Sequence, residues 1–214
     1  AMRGFDKNDA ASKKIKEDYF KNGFNNNSGN IKLGVLKPLL ADSIYKMNID
    51  KLKAAGVELV EITPPNISFN GFVTLLNIDM KQDLPKYLAN NADKSISVKS
   101  VKDVVNFNLK DTVLRAPYGQ QLFDGIVADE TTLEDLEIIK NNLESEGRKY
   151  FSALEDQKLD AILSLNNYHS GFAATAKYPT LTVPMGYKTS GEPVSLTFVG
   201  KPFSERKLLE IGFA

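Results

Sequence analysis

From Ile31 onward the apolar positions follow first one period and then another. Their order is strand, helix, strand, a long helical stretch, then strands again. Ile31-Lys32-Leu33-Gly34-Val35-Leu36 is an apolar run of strand length. Asp42 or Ser43 then caps a helix carrying Ile44, Met47 and Leu52, and Gly56 stands where a C-terminal helix glycine belongs. Val57-Glu58-Leu59-Val60-Glu61-Ile62 alternates apolar with charged and is stopped by Pro64-Pro65, which predicts a second strand. Strand, helix and strand in so short a stretch imply a right-handed crossover and a parallel pair.

Gly71 to Asp156 reads as helical throughout. Ser100-Val101-Lys102-Asp103 has the form of a capping box, and Thr131-Thr132-Leu133-Glu134-Asp135 offers a second. The second leads into Leu133, Leu136, Ile139 and Leu143, an apolar stripe at helical spacing in which Gly147 is a weak point. Strands return at Leu159–Leu165, Thr180–Pro184 and Val194–Gly200. The last two are joined by a Gly-containing loop from Tyr187 to Pro193, which makes them antiparallel neighbours. A short helix is expected from Gly171 to Ala176, and Ser204 is placed to cap a final one with Leu208, Leu209 and Ile211. The fold class is therefore α/β, with a mixed, mostly parallel sheet flanked by helices. Ahead of it, Asp9–Phe20 reads as a short helix and Asn22–Asn30 as an Asn/Gly-rich linker. The chain thus divides into residues 1–30 and an α/β portion over 31–214.

Charge and composition narrow the chemistry. Lys and Arg balance Asp and Glu at 27 each, so no net field draws the chain to nucleic acid or to an anionic membrane. No apolar run approaches the roughly 20 residues of a membrane span, and a soluble, cytoplasmic protein is expected. With no cysteine and one histidine, His169, thiol nucleophiles, thiolate metal sites and His-cluster sites drop out. No Gly-x-Gly-x-x-Gly or Gly-Lys-Ser/Thr loop follows either early strand, so no phosphate cradle is expected, and no cofactor or metal. Ser204-Glu205-Arg206-Lys207 and Lys188-Thr189-Ser190-Gly191 imitate two serine-enzyme motifs, but in the wrong order, and Ser204 is explained as a cap. The carboxylate pairs Asp79/Asp83 and Glu130/Glu134, each four apart, read as solvated helix faces.

One resemblance does stand out. Leu159-Asp160-Ala161-Ile162-Leu163, then Tyr178-Pro179-Thr180-Leu181-Thr182-Val183-Pro184-Met185-Gly186-Tyr187, then the run Gly191 to Glu205 resemble the tail of the amidase signature family. Ile31–Val35 and Ala54–Pro65 resemble strands of that family's later half. Asp79–Leu88 and Val101–Asn106 resemble the helical stretch of its free amidases. The family hydrolyses amides with a serine nucleophile, a bridging serine and a lysine, the two serines lying in a Gly-Ser-rich segment. This chain has no such run, so the resemblance implies the C-terminal part of an amidase-signature fold. Its nucleophile is then expected upstream, and the fragment is expected to be inactive alone.

On that reading no residue here is catalytic, the substrate is a small non-peptide amide, and a partner is the missing N-terminal catalytic half of the same polypeptide. Asn166, Asn167, Tyr168 and His169 directly follow a strand, where ligands of α/β sheets bind, and can orient a substrate amide. For Asn166 and Asn167, satisfying loop backbone is an equal alternative. Tyr118 and Gln120, beside Gly119 and Gln121, are further candidates for substrate contact, while Asp160 is expected to anchor a strand edge. A non-catalytic small-molecule-binding or regulatory module, or an amidase-like scaffold, is the alternative reading. Exposed apolar helix faces and a free sheet edge would favour a homodimer or aggregation.

Overall fold

The computed structural model describes residues 5–8, 12 and 31–213. The helix expected over Asp9–Phe20, Ser12 aside, and the linker Asn22–Asn30 lie outside the described residues. The remaining portion divides into two compact units, Ser68–Leu143 and the residues on either side of it.

The flanking unit carries a five-stranded sheet: β1 (Lys32–Leu36), β2 (Glu58–Ile62), β3 (Ala161–Leu165), β4 (Thr180–Tyr187) and β5 (Pro193–Val199). Their order is β2-β1-β3-β5-β4. β1 pairs parallel with both β2 and β3, and β5 runs antiparallel to β3 and β4, so β5 alone runs against the rest. The mixed, mostly parallel sheet is as the sequence predicts. Each face has its own core. Leu33, Val35, Ala161, Leu163 and Phe198 point to one, with Tyr45 and Ile49 of α1 (Ser43–Ala54) and Leu208 and Ile211 of α9 (Glu205–Phe213). Leu36, Ile62, Ile162 and Val199 point to the other, with Phe151, Leu154 of α7 (Ala153–Asp156), and Ala173 and Ala176 of α8 (Ser170–Ala176).

Local chemistry explains the element ends. The Asp42 carboxylate accepts from the amides of Ile44 and Tyr45 at 3.0 and 2.8 Å and starts α1. Gly56 follows its end with φ of +87°, a left-handed conformation that suits glycine. Asp160 Oδ2 accepts from the Lys32 amide at 2.9 Å while its own amide donates to the Lys32 carbonyl at 2.8 Å, so it pins β3 to β1. The Tyr45 hydroxyl, wholly buried, donates to the Leu163 carbonyl at 3.0 Å, and burial pushes its pKa up.

The second unit is helical: α2 (Phe72–Asn91), α3 (Val101–Asn108), α4 (Thr112–Arg115), α5 (Gln121–Ala128) and the first part of α6 (Leu133–Tyr150). Both capping boxes form. Ser100 Oγ accepts from the Asp103 amide at 3.2 Å while Asp103 accepts from the Lys99 amide and the Ser100 hydroxyl. Thr132 Oγ1 accepts from the Asp135 amide at 3.1 Å and donates to its carboxylate at 2.7 Å. These acceptor bonds hold the Asp103 carboxyl below its ordinary pKa.

Four expectations change. Leu133 is exposed because it is the first residue of α6, before the helix turns its packed face inward at Leu136 and Leu143. Glu130 precedes α6 altogether, so it shares no helix face with Glu134. The strand expected to end at Pro184 runs on to Tyr187 through an irregularity between Pro184 and Gly186. Ser204 stands at the start of α9, but its hydroxyl donates to the Lys201 carbonyl at 2.7 Å.

Gly147 is buried in α6, and a Cβ there would lie 2.7 Å from the Phe172 carbonyl oxygen and 3.0 Å from the Ala176 amide nitrogen. The last turns of α6 therefore approach the backbone of α8 as only glycine allows. Helix propensity alone makes Gly147→Ala stabilising by about 1 kcal/mol, whereas forced repacking costs about 1–3 kcal/mol. Backbone neighbours cannot swing aside, so we expect a net loss in urea unfolding; equal or greater stability would show that α8 yields.

Candidate functional site

β3 is buried along its whole length, so its alternating side chains enter opposite cores. Ser164 shares a face with Ile162 and is only 1% exposed. A hydroxyl there needs a partner. It finds His169 Nδ1 at 2.6 Å, five residues on. The loop between them is held tightly. Asn166 adopts φ of +47°, which asparagine tolerates. Its amide donates to the Ser195 carbonyl at 2.9 Å, and its carboxamide oxygen accepts from the Ser195 amide and hydroxyl at 2.8 and 3.2 Å.

The strand register extends this polar patch. Ser164 stands opposite Thr197 of β5, and Thr197 opposite Thr182 of β4, which gives a row of three hydroxyls across three neighbouring strands. The Thr197 hydroxyl donates to the Asn166 carbonyl at 2.7 Å, so in its 2.9 Å contact with Thr182 the proton comes from Thr182. Ser164 and Thr197 are buried, whereas Thr180, Thr182 and Pro184 are exposed. The same sheet face thus passes from core to open surface at β4.

His169 ends the loop. Its ring stacks on Tyr150 at 5.3 Å between centroids and leans on Phe172 at 5.9 Å. Burial holds its pKa below the ordinary histidine value, which favours the neutral ring. Among the described residues Ser164 Oγ has no other hydrogen bond. The hydroxyl can donate to Nδ1 or accept from a protonated Nδ1, so the contact is satisfied in either ring tautomer. Tyr168, 60% exposed, projects beside it, and the Asn167 carbonyl accepts from the amide and hydroxyl of Ser170.

Four of the six candidate residues, Asn166, Asn167, Tyr168 and His169, thus share one loop at the carboxyl end of β3. Tyr118 and Gln120 belong to the second unit. Tyr118 is fully open at 97% exposure, and Gln120 carries a buried Oε1 with no hydrogen-bond partner. That unit also holds a cleft of about 260 Å³ lined by Lys81, Gln82, Asp129 and Thr131 among others. Its lysine is committed to the carbonyls of Val127 and Asp129, and hydrogen bonds from Thr131 and Asn77 hold the Asp129 carboxyl low. Asp79 pairs with Lys140 and Asp83 with Lys86, and no cluster among the described residues could hold a metal ion.

Sequence reasoning missed Ser164, Thr182, Ser195 and Thr197. A signal existed: Thr180-x-Thr182 and Ser195-x-Thr197 repeat hydroxyls every second residue, which is one face of a strand.

The depressed His169 pKa has a thermodynamic consequence. As pH falls through about 6.5 the unfolded chain takes up a proton that the folded chain refuses. Stability is therefore full above that value and declines as the pH falls below it. His169 is the single histidine, so His169→Gln should flatten this segment in urea titrations at stepped pH. An unchanged slope would place the effect elsewhere. Ser164→Ala, which strips the partner from Nδ1, should cost about 1–3 kcal/mol at pH 7.5.

No family model matches the chain. A protein of Arabidopsis thaliana named a probable amidase is 29% identical to it over 236 residues, covering 100% of this chain and 44% of that protein. Among solved structures, an amidase family protein from Bacillus anthracis superposes with a TM-score of 0.87 at 29% identity, over 100% of this chain and 44% of its own. The peptide amidase of Stenotrophomonas maltophilia superposes with a TM-score of 0.74 at 26% identity, over 88% of this chain and 43% of its own. The chain spans less than half the length of these relatives. The chain is thus similar to amidases in sequence and, with its mixed α/β sheet flanked by helices, in fold, as the resemblance to the amidase signature family implies.

Proposed function

We propose that this chain is the C-terminal portion of an amidase that hydrolyses the carbon–nitrogen bond of a small non-peptide amide, with its serine nucleophile carried upstream. The observation that supports this most is the match in fold to a solved amidase family protein over all of this chain and less than half of that one. The sequence is compatible, since no two serines stand in a glycine-rich run that could supply a nucleophile and a bridging serine. A lysine base in such a reaction needs neither histidine nor cysteine, which fits a chain with one of the first and none of the second.

In this reading the β3–α8 loop is a substrate-positioning element. Asn166 and the half-buried Ser164–His169 pair fix the loop, and Tyr168 together with the His169 Nε2 present a ring face and a polar ring nitrogen to the amide.

The test compares two proteins. This chain alone should release no ammonia from a panel of small linear amides, whereas the longer protein read through from upstream should do so. Release by this chain alone, abolished by Ser164→Ala, would overturn the division of labour. In the longer protein, Tyr168→Ala should raise KM by about tenfold, the loss of one apolar contact of roughly 1.4 kcal/mol, with kcat little changed. Preference for C-terminal peptide amides over small amides would remove the substrate class from the proposal.

A further inference from the structure

The apolar surface of the described residues is distributed unevenly. Thirteen of the nineteen large apolar side chains that stand exposed belong to Ser68–Leu143, about a third of the chain. Scattered single exposures are ordinary, but an ordered set is not. On α2 the set is ordered. Val73, Leu76, Met80, Leu84 and Tyr87 recur at steps of three, four, four and three residues, and so fall within one narrow face of the helix. Val73 is 65%, Leu76 53%, Met80 39% and Tyr87 63% exposed. Other sides of the same helix serve its own unit, where Ile78 is buried, Asn77 and Lys81 bond to the Asp129 region and Asp79 pairs with Lys140. The Val73–Tyr87 stripe is thus left exposed while other sides of the helix are engaged with its own unit.

Stripes repeating at three and four residues are what a helix offers to another helix, because apolar rows at that spacing interlock with their like. We infer that the Val73–Leu76–Met80–Tyr87 face of α2 is the docking surface for an apolar, helical segment of the polypeptide that precedes this chain in the full-length protein. The inference rests on the proposed function. The relatives that match the whole of this chain are more than twice its length, so a large body of protein remains to be seated. The stripe itself carries no charge, which suits a permanent intramolecular contact better than a transient partner.

The absence of cysteine from this chain makes the surface easy to probe. In the full-length protein, freed of cysteines elsewhere, single cysteines are placed at Leu76, at Met80 and, as a control on another side of the same helix, at Gln82. Labelling by a maleimide is timed under native conditions and in urea. Thiols at Leu76→Cys and Met80→Cys should react at least tenfold more slowly than at Gln82→Cys in the native protein, and at equal rates once unfolded. Equal native rates would overturn the inference. Protection that grows with protein concentration would also overturn it, by making a second copy the occupant. Amide turnover by the same samples reports separately on the proposed function, so an active enzyme with a freely labelled stripe would sink only the docking surface.

Discussion

The sheet depends on β3 being buried on both faces. A central strand must hand every side chain to a core and every amide and carbonyl to a neighbour. Ala161, Leu163 and Leu165 serve one core, and Ile162 serves the other. Parallel pairing to β1 on one edge and antiparallel pairing to β5 on the other use the backbone. Ser164 is the single polar residue of the strand, and it cannot be left without a partner. Its contact with His169 therefore fixes the first turn after the strand, and the loop's side chains are displayed as a consequence of core formation.

The same requirement sets which groups in the loop are free. Asn166 has its amide and carboxamide oxygen bound to Ser195 and its carbonyl to Thr197. His169 has one ring nitrogen bound to Ser164 and its ring packed on Tyr150. What remains available is the second ring nitrogen and the Tyr168 ring. The side chains of Asn166 and His169 are thereby held in place by the fold itself.

The strands, α1 and both capping boxes were legible from residues alone because each rests on a local signal. Asp42, Ser100 and Thr132 are capping side chains at the right offset, and Val57–Ile62 alternates with period two. The position of the candidate loop was legible for the same reason, since Asn166–His169 follow an evident strand. The Ser164–His169 pair and the hydroxyl row were not, because they depend on which strands lie side by side. β5 is inserted between β3 and β4, an order that sequence adjacency does not reveal. Gly147 was read as a helix weakness for a related reason: its contact is with Phe172, twenty-five residues away, and helical periodicity carries no information about what a face meets.

The two units are also built differently, and the difference bears on what each can do alone. Only six of the twenty-nine buried apolar side chains of the described residues lie in Ser68–Leu143: Ile78, Val101, Val105, Ile126, Leu136 and Leu143. This unit's specific bonds are end-of-helix and surface ones: the two capping boxes, Asp79 with Lys140, Asn77 with Asp129, and Arg115 over the Phe107 ring at 3.9 Å. Exposed ion pairs contribute about 0–1 kcal/mol each and caps about 0.5–2 kcal/mol each. Covering the exposed apolar faces of such a unit would add burial that its own few core residues do not supply.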